Sequence, residues 1–379
     1  MSSSVKALRP PKPKPRVCYL VPIDNASNST HQVQPVSLTM KLPHSMAAPR
    51  PTALWVGDAL TAHRLPGNHP NSIDRQTAFL DEAQRAGLLD QVRLGTPRLA
   101  TREELRRFHD AAHVSWVELC SRKGSGHVDD EDTPAYPGVF EAAATRVGTA
   151  LDALEHLMGG QASRSFQPVG GMHHGRRHRG AGFCPFNDIG VVIETLRTRH
   201  QLRRVAYIDI DAHQGDGVYD SYARDPDLII ADIHQDGRTL YPGTGHADET
   251  GIGAAAGTKL NLPLAPGATD HDFFSAWARA QVHLERFQPE FFIFQCGADS
   301  LAGDPLADLR LSSASHAHAT RGLLALAERY AKGRLMVFGG GGYHAANVAS
   351  AWTAVLRELT SNAPHLGLPG PIKYATNDS

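Results

Sequence analysis

Asp211 and His213 stand two residues apart, just after the apolar run Val205–Ile208. In an extended segment residues i and i+2 share a side, so a carboxylate and an imidazole there can face one ion. Asp299, in Gly297-Ala298-Asp299 after the run Phe291–Phe294, offers a second carboxylate. Two oxygens and one nitrogen leave a coordination position open, as a catalytic metal requires. Zinc is the default ion for such a set, and Fe(II) or Co(II) also suits it. A hydrogen-bonded strand-end pair is the plain alternative for Asp211 and His213 taken alone. His173 and His174 are adjacent and follow Gly170-Gly171-Met172, while Asp209 and Asp216 flank the ligand pair. An aspartate behind a histidine fixes its tautomer and stabilises its charged form, so two Asp–His dyads beside an activated water make hydrolytic machinery. A bare His-His pair is more often surface. Tyr343 follows four glycines, Gly339 to Gly342. Glycines let backbone approach a ligand closely, and a phenol at the tip of such a loop can donate to a developing oxyanion; an exposed turn with an aromatic fits that segment alone equally well.

These groups act together only if the chain gathers them. Five apolar runs, Phe166–Val169, Val205–Ile210, Leu228–Ile233, Phe291–Phe294 and Leu335–Phe338, read as strands, and helical spacing falls between several of them, for instance over 312–331. Strands alternating with helices predict an α/β fold, a mainly parallel, doubly wound sheet with helices on both faces. Each run leads into a polar stretch: Gly170–His174, Asp209–Gly217, Asp232–Gln235, Gly297–Asp299 and Gly339–His344. Open parallel sheets bind ligands at the carboxyl ends of their strands, so the five stretches converge on one crevice. Upstream, Phe140, Ala143, Val147, Leu151, Leu154 and Met158 recur at helical spacing and predict a helix over 137–158, and Thr101-Arg102-Glu103-Glu104 reads as a capping box.

The chain has 379 residues, and 41% are hydrophobic against 20% charged, so a packed core is expected. Lys plus Arg number 38 and Asp plus Glu 39, and this balance argues against a dedicated nucleic-acid binder. Histidine is abundant, 21 residues, which favours metal or acid–base chemistry. The cysteines Cys18, Cys120, Cys184 and Cys296 form no Cys-x-x-Cys pair, and their wide spacing fits a reducing compartment. No apolar run is long enough to span a membrane and no secretory h-region is present, so a cytoplasmic location is expected. Residues 1–51 read as a Pro-, Ser- and base-rich leader, 52–360 as one metal-dependent domain and 361–379 as a tail.

Gly171-Met172-His173-His174, Gly182-Phe183-Cys184, Asp209-Ile210-Asp211-Ala212-His213, Tyr241-Pro242-Gly243-Thr244-Gly245, Gly297-Ala298-Asp299 and Gly339–Tyr343, in this order, resemble the histone deacetylase family, including bacterial acetoin-utilisation-type deacetylases. The similarity runs from about residue 64 to about 358. Gly303-Asp304-Pro305-Leu306 and Asn347-Val348-Ala349 with Trp352-Thr353 lean toward its class I-like branch. The resemblance implies an arginase/deacetylase-like sheet and the release of acetate from acetyl-lysine or a small acetylated amine. It makes Asp211, His213 and Asp299 the metal ligands, His173 with Asp209 and His174 with Asp216 the acid–base pairs, and Tyr343 the carbonyl-binding phenol. Phe183 and Tyr241 would wall a narrow tunnel, with Gly182, Gly341 and the rim residue Leu306 beside the substrate. Asp132 would grip substrate amides, and Arg75 would line an acetate channel. A structural potassium ion beside the Asp209, Asp211 and His213 carbonyls is also implied.

Three departures stand out. Gln214 replaces a second histidine, Asp232 a common serine at the monovalent-ion position, and Tyr241 a common phenylalanine. Neither nucleic acid nor membrane is expected as a partner, and oligomeric state and native metal stay open. The competing readings are an acetylpolyamine amidohydrolase, a binuclear manganese hydrolase of arginase type, disfavoured because Asp299-Ser300-Leu301 lacks a second aspartate, and a non-catalytic acetyl-ligand sensor.

Overall fold

The computed structural model describes residues 51–62, 70, 73–129 and 132–361, all within one compact unit, Ala47–Ser379. The leader apart from Pro51, with Cys18 in it, and the tail apart from Ser361 lie outside the described residues.

Eight strands form one sheet in the order β2-β1-β3-β8-β7-β4-β5-β6: β1 Thr52–Trp55, β2 Val92–Gly95, β3 Arg164–Gln167, β4 Val205–Asp209, β5 Leu228–Gln235, β6 Lys259–Leu264, β7 Phe291–Gln295 and β8 Leu335–Phe338. Every pairing is parallel. A parallel sheet buries both faces, which is why its central strands are unbroken apolar runs. In β7, Phe291 and Ile293 point into one core and Phe292 and Phe294 into the other. The first core is closed by α3 Ala111–Lys123, α4 Val139–Met158, α5 Asp188–His200 and α6 Asp216–Tyr222. The second is closed by α1 Arg75–Arg85, α7 Asp270–Phe287, α8 Ser313–Tyr330 and α9 Ala345–Thr360. The doubly wound α/β expectation therefore holds.

Local chemistry sets the helix starts. Asp74 accepts the Thr77 N–H before α1, and Ser312 caps α8. The capping box at Thr101 and Glu104 opens α2 Arg102–Leu105. The expected helices over 137–158 and 312–331 are α4 and α8.

Three strands were not legible. β2 and β6 are the sheet edges and β1 lies beside one. Edge strands need less apolar surface, so β2 carries only Val92 and Leu94, and Leu94 is exposed. In β6, Pro263 interrupts the pattern, tolerable where no neighbour needs its N–H. A second difference concerns Asp232–Gln235. The apolar run was expected to end at Ile233, with Asp232–Gln235 as the polar stretch at its end, but β5 continues through Gln235 and buries all of them. Asp232 and His234 pair in register with Asn261 and Pro263.

Candidate functional site

The four central strands, β3, β8, β7 and β4, are neighbours, and the chemical segments follow their carboxyl ends. Chain order runs from β3 across to β4 and returns to fill the middle with β7 and β8, so the crevice opens where the winding reverses. Gly171, Met172, His173, His174, Gly182, Phe183, Cys184, Asp211, His213, Gly340, Gly341, Tyr343 and Arg75 line one narrow cavity there.

At its floor His213 Nδ1 lies 3.1 Å from both Asp211 Oδ1 and Asp299 Oδ2, and the three ligand atoms are within 4.8 Å of one another. The other oxygens are turned away and held. Asp211 Oδ2 accepts from Gln295 Nε2 and the Gly341 N–H, both at 2.8 Å. Asp299 Oδ1 accepts the Ala212 N–H at 2.9 Å. All three residues are buried, and no described Lys or Arg side chain hydrogen-bonds either carboxylate. Burial and repulsion from Asp211 push Asp299 upward. Burial disfavours the His213 imidazolium, yet the two carboxylates hold it up at about 10. A buried pair of carboxylates facing one imidazole fits a divalent cation. Among the described residues this is the one such cluster.

Beside it stand two His–Asp pairs. His173 Nδ1 lies 2.7 Å from Asp209 Oδ2, and His174 Nδ1 lies 2.6 Å from Asp216 Oδ1. Burial opposes charge on His173, but Asp209 and Asp211 outweigh it and hold the ring at about 10. For His174, burial and the neighbouring His173 outweigh Asp216 and push it down to about 4. The two imidazoles, with centroids 4.1 Å apart, are thus split into a charged and a neutral ring. Tyr343 is held by its N–H donating to Asp304 Oδ2 at 2.8 Å. Burial and the charges of Asp299 and Asp211 push its phenol well up, so it stays a donor. Cys184 also lines the cavity, but burial pushes its thiol up to about 12, which leaves it no nucleophile.

Close approach explains the glycines. A Cβ on Gly341 would sit 2.2 Å from Asp299 Oδ2, and one on Gly182 would sit 2.4 Å from the His174 ring. Phe183 follows in the left-handed region at φ 66°, a strained conformation for an aromatic residue. Its ring meets Tyr343 edge-on at 5.9 Å. Beneath the Gly339–Tyr343 loop the buried Trp352 donates Nε1 to Gly339 O at 3.1 Å.

Tyr241 packs on His174 at 5.1 Å and nears His213 at 6.5 Å, half-exposed. Arg75 is buried and lines the cavity, with Nη1 donating to Gly340 O at 2.8 Å. Asp132 accepts from Thr133 Oγ1, which in turn accepts the Phe183 N–H. Leu306 donates its N–H to Asp304 Oδ1 at 3.0 Å. Asp132, Tyr241 and Leu306 are not among the residues lining the cavity, and Asp299 lies buried behind Asp211 and His213, which do line it. Gln214 bonds Thr244 and Asn261. Asp232 accepts from His234 Nδ1 on one oxygen and from the Gly215 N–H on the other, so both oxygens are engaged.

Sequence reasoning missed the residues that hold this set. Asp188 accepts the N–H groups of Gly171 and Met172, and Asn187 Nδ2 donates to Gly175 O. Gln295 and Asp304 act likewise on Asp211 and Tyr343. The signals were present: Asn187 is an N-cap before α5, and Gln295 is a polar residue ending an otherwise apolar strand.

The fold and site define a parallel α/β protein with one candidate cation position at the carboxyl ends of its strands. A histone deacetylase domain model matches residues 69–359. The acetoin utilization protein AcuC of Bacillus subtilis is 35% identical over 310 residues, 79% of this chain and 80% of its own. A histone deacetylase-like amidohydrolase of Pseudomonas aeruginosa is 34% identical over 322 residues, 84% and 82% of the two chains. The solved HDA15 HD domain superposes with a TM-score of 0.76 at 26% identity, covering 83% of this chain and 89% of that one. The chain belongs to the histone deacetylase family. No helix among the described residues is long and apolar enough to cross a membrane.

Proposed function

We propose that the chain is a metal-dependent amidohydrolase that removes the acetyl group from an acetylated amine and releases acetate. The observation that carries this reading is that ligand atoms of Asp211, His213 and Asp299 lie within 4.8 Å of one another, where Asp211 and His213 line one cavity with both histidines and Tyr343. A divalent ion held by those three residues, zinc by default, supplies Lewis-acid polarisation of the amide carbonyl and a lowered pKa for water. His174, neutral and donating Nδ1–H to Asp216, has Nε2 free to take a proton from the attacking water. Tyr343 donates its O–H to the carbonyl oxygen as negative charge grows there. His173, protonated and anchored by Asp209, gives a proton to the departing amine as the C–N bond breaks. The water oxygen ends in acetate, which leaves unprotonated; the water's two protons, one taken up by His174 and one lost as the carboxylate forms, replace the proton given by His173 and complete the ammonium of the departing amine. Phe183 and Tyr241 flank the path of an alkyl chain, and Arg75 places a guanidinium where acetate would leave. A potassium ion near the Asp209 backbone belongs with this reading and would have Asp232 as a neighbour.

The test is acetate release by protein loaded separately with Zn, Fe(II) and Co(II), on acetyl-lysine peptides, acetylputrescine and acetylspermidine. Turnover on one of these classes supports the proposal and names the substrate class. Tight hydroxamate binding with no turnover on any of them would replace it with an acetyl-ligand sensor. Two metals per chain would favour the binuclear reading.

A further inference from the structure

After His174 the chain runs Gly175-Arg176-Arg177-His178-Arg179. Among the three arginines, Arg176 alone faces a His–Asp pair. Arg177 donates to Glu194 at 2.6 Å and stacks on Phe108 and Tyr222, and Arg179 reaches Asp129 at 3.4 Å. Arg176 Nη2 donates to Asp216 Oδ2 at 2.5 Å, on the oxygen that His174 does not use. The same guanidinium is braced from outside by Asp220 Oδ2, 3.1 Å from Nε and 2.9 Å from Nη2.

This arrangement follows from α6. Asp216 and Asp220 are four residues apart and lie on one helical face, so one planar guanidinium can reach both. Asp216 is 1% exposed, Arg176 16% and Asp220 48%, so the triad runs from the core to the surface. The first turn of α6 is pressed against the backbone of His174, where a Cβ on Gly217 would sit 2.4 Å from His174 O. Backbone contact and ion pair therefore fix the same imidazole from two sides.

The other dyad is built differently. Asp209 takes His173 Nδ1 and the Tyr207 O–H on Oδ2 and the Asp211 N–H on Oδ1. These companions of the imidazole are neutral. The charge of Asp216 is shared with an arginine; the charge of Asp209 is not. Without Arg176, Asp216 Oδ2 would be a buried carboxylate oxygen with no partner, and the carboxylate would be free to turn and carry the imidazole with it.

We propose that Arg176, braced by Asp220, is a positioning residue for the hydrolytic reaction: it holds the second oxygen of Asp216 and so fixes the aim of His174 Nε2 into the cavity. This rests on the amidohydrolase reading, and the experiment separates the two. Arg176→Gln, Arg176→Lys and Asp220→Asn are assayed in metal-loaded full-length protein for kcat, KM and metal content. The His174 Nδ1 proton, held by a short bond to a carboxylate, is followed by NMR with 15N-histidine labelling.

Arg176→Gln should lower kcat at least tenfold with KM within about twofold and full metal content. Arg176→Lys should recover part of the loss, since charge returns without the fork, and Asp220→Asn should give a smaller fall. The His174 proton should shift in Arg176→Gln while that of His173 stays in place. A kcat within twofold of the parent and an unmoved His174 proton would overturn the proposal. Should Arg176→Gln fail to fold, Asp220→Asn decides the matter: it leaves Asp216 intact, and an unchanged proton and kcat there refute the bracing. Parent protein inactive on every acetylated amine would sink the amidohydrolase reading, while the proton shift would still decide the positioning claim.

Discussion

Replacing Tyr343 by Phe removes one oxygen and little else. The backbone there is pinned by the Tyr343 N–H on Asp304 Oδ2, and the ring is held edge-on to Phe183. Neither contact uses the phenol, so the ring should stay in place. Tyr343 hydrogen-bonds none of Asp211, His213 or Asp299, so metal content should be unchanged. The phenol is held protonated by burial and by Asp299 and Asp211, so what is lost is a full O–H donor to the carbonyl oxygen. Loss of one such donor costs about 3–4 kcal/mol of transition-state stabilisation, or roughly two to three decades in rate. The ground-state carbonyl binds that donor less strongly than the oxyanion does, so kcat should fall while KM stays within a few-fold. The assay is steady-state turnover of an acetyl-lysine reporter, with elemental analysis of the same sample. A kcat within threefold of the parent would refute the role given to Tyr343, and so would a fall in kcat accompanied by metal loss.

Asp211→Asn and His213→Ala should each lose the metal, and stoichiometric metal in either variant by elemental analysis would contradict their assignment as ligands. Gln295→Leu removes the donor on Asp211 Oδ2 and should weaken metal affinity about 10- to 100-fold; chelator competition reads this, and an unchanged affinity would count against Gln295 as the orienting group. Lys259 is buried with Nζ donating to Asp225 O, Leu228 O and Thr258 Oγ1, and burial pushes it down to about 8. The unfolded chain binds that proton up to about pH 10.5, so between pH 8 and 10.5 the unfolded state holds more protons and stability should rise with pH through this residue. Urea midpoints of the parent and Lys259→Met should diverge over that window, and parallel curves would remove Lys259 as the cause. Trp352→Ala should cost about 3–5 kcal/mol by denaturant titration, because it empties a fully buried site and removes the donor beneath the glycine loop; a loss below about 1 kcal/mol would show that the loop does not rest on it.

The centre of the fold was legible because central parallel strands must be apolar on both faces. Phe291–Phe294 and Leu335–Phe338 could be nothing else at that length, and their positions put Asp299 and Tyr343 at one end of the sheet. β2 was hidden because an edge strand with Arg93 and Leu94 in solvent has no such signature. The run Leu228–Ile233 stops two residues short of the end of β5 because His234 and Gln235 are polar; the hydrogen bond between Asp232 and His234 lets β5 bury both. The ligand and dyad residues were visible as types at given spacings, and their partners were visible through the family resemblance. The residues that orient them were not. Asp188 and Gln295 act through backbone amides and carboxylate oxygens brought close by folding, and no spacing in the chain announces that. Nothing in the run Arg176-Arg177-His178-Arg179 distinguishes its first arginine by type or spacing; only the geometry of α6 separates Arg176 from Arg177 and Arg179.

The central claim is that Asp211, His213 and Asp299 hold one divalent cation at the floor of the cavity. Anomalous diffraction from crystals of the zinc-loaded protein, collected on both sides of the zinc edge, tests it directly. A single zinc peak bounded by Asp211 Oδ1, His213 Nδ1 and Asp299 Oδ2 is the predicted result. Two peaks in the cavity, or one peak away from those three atoms, would contradict it.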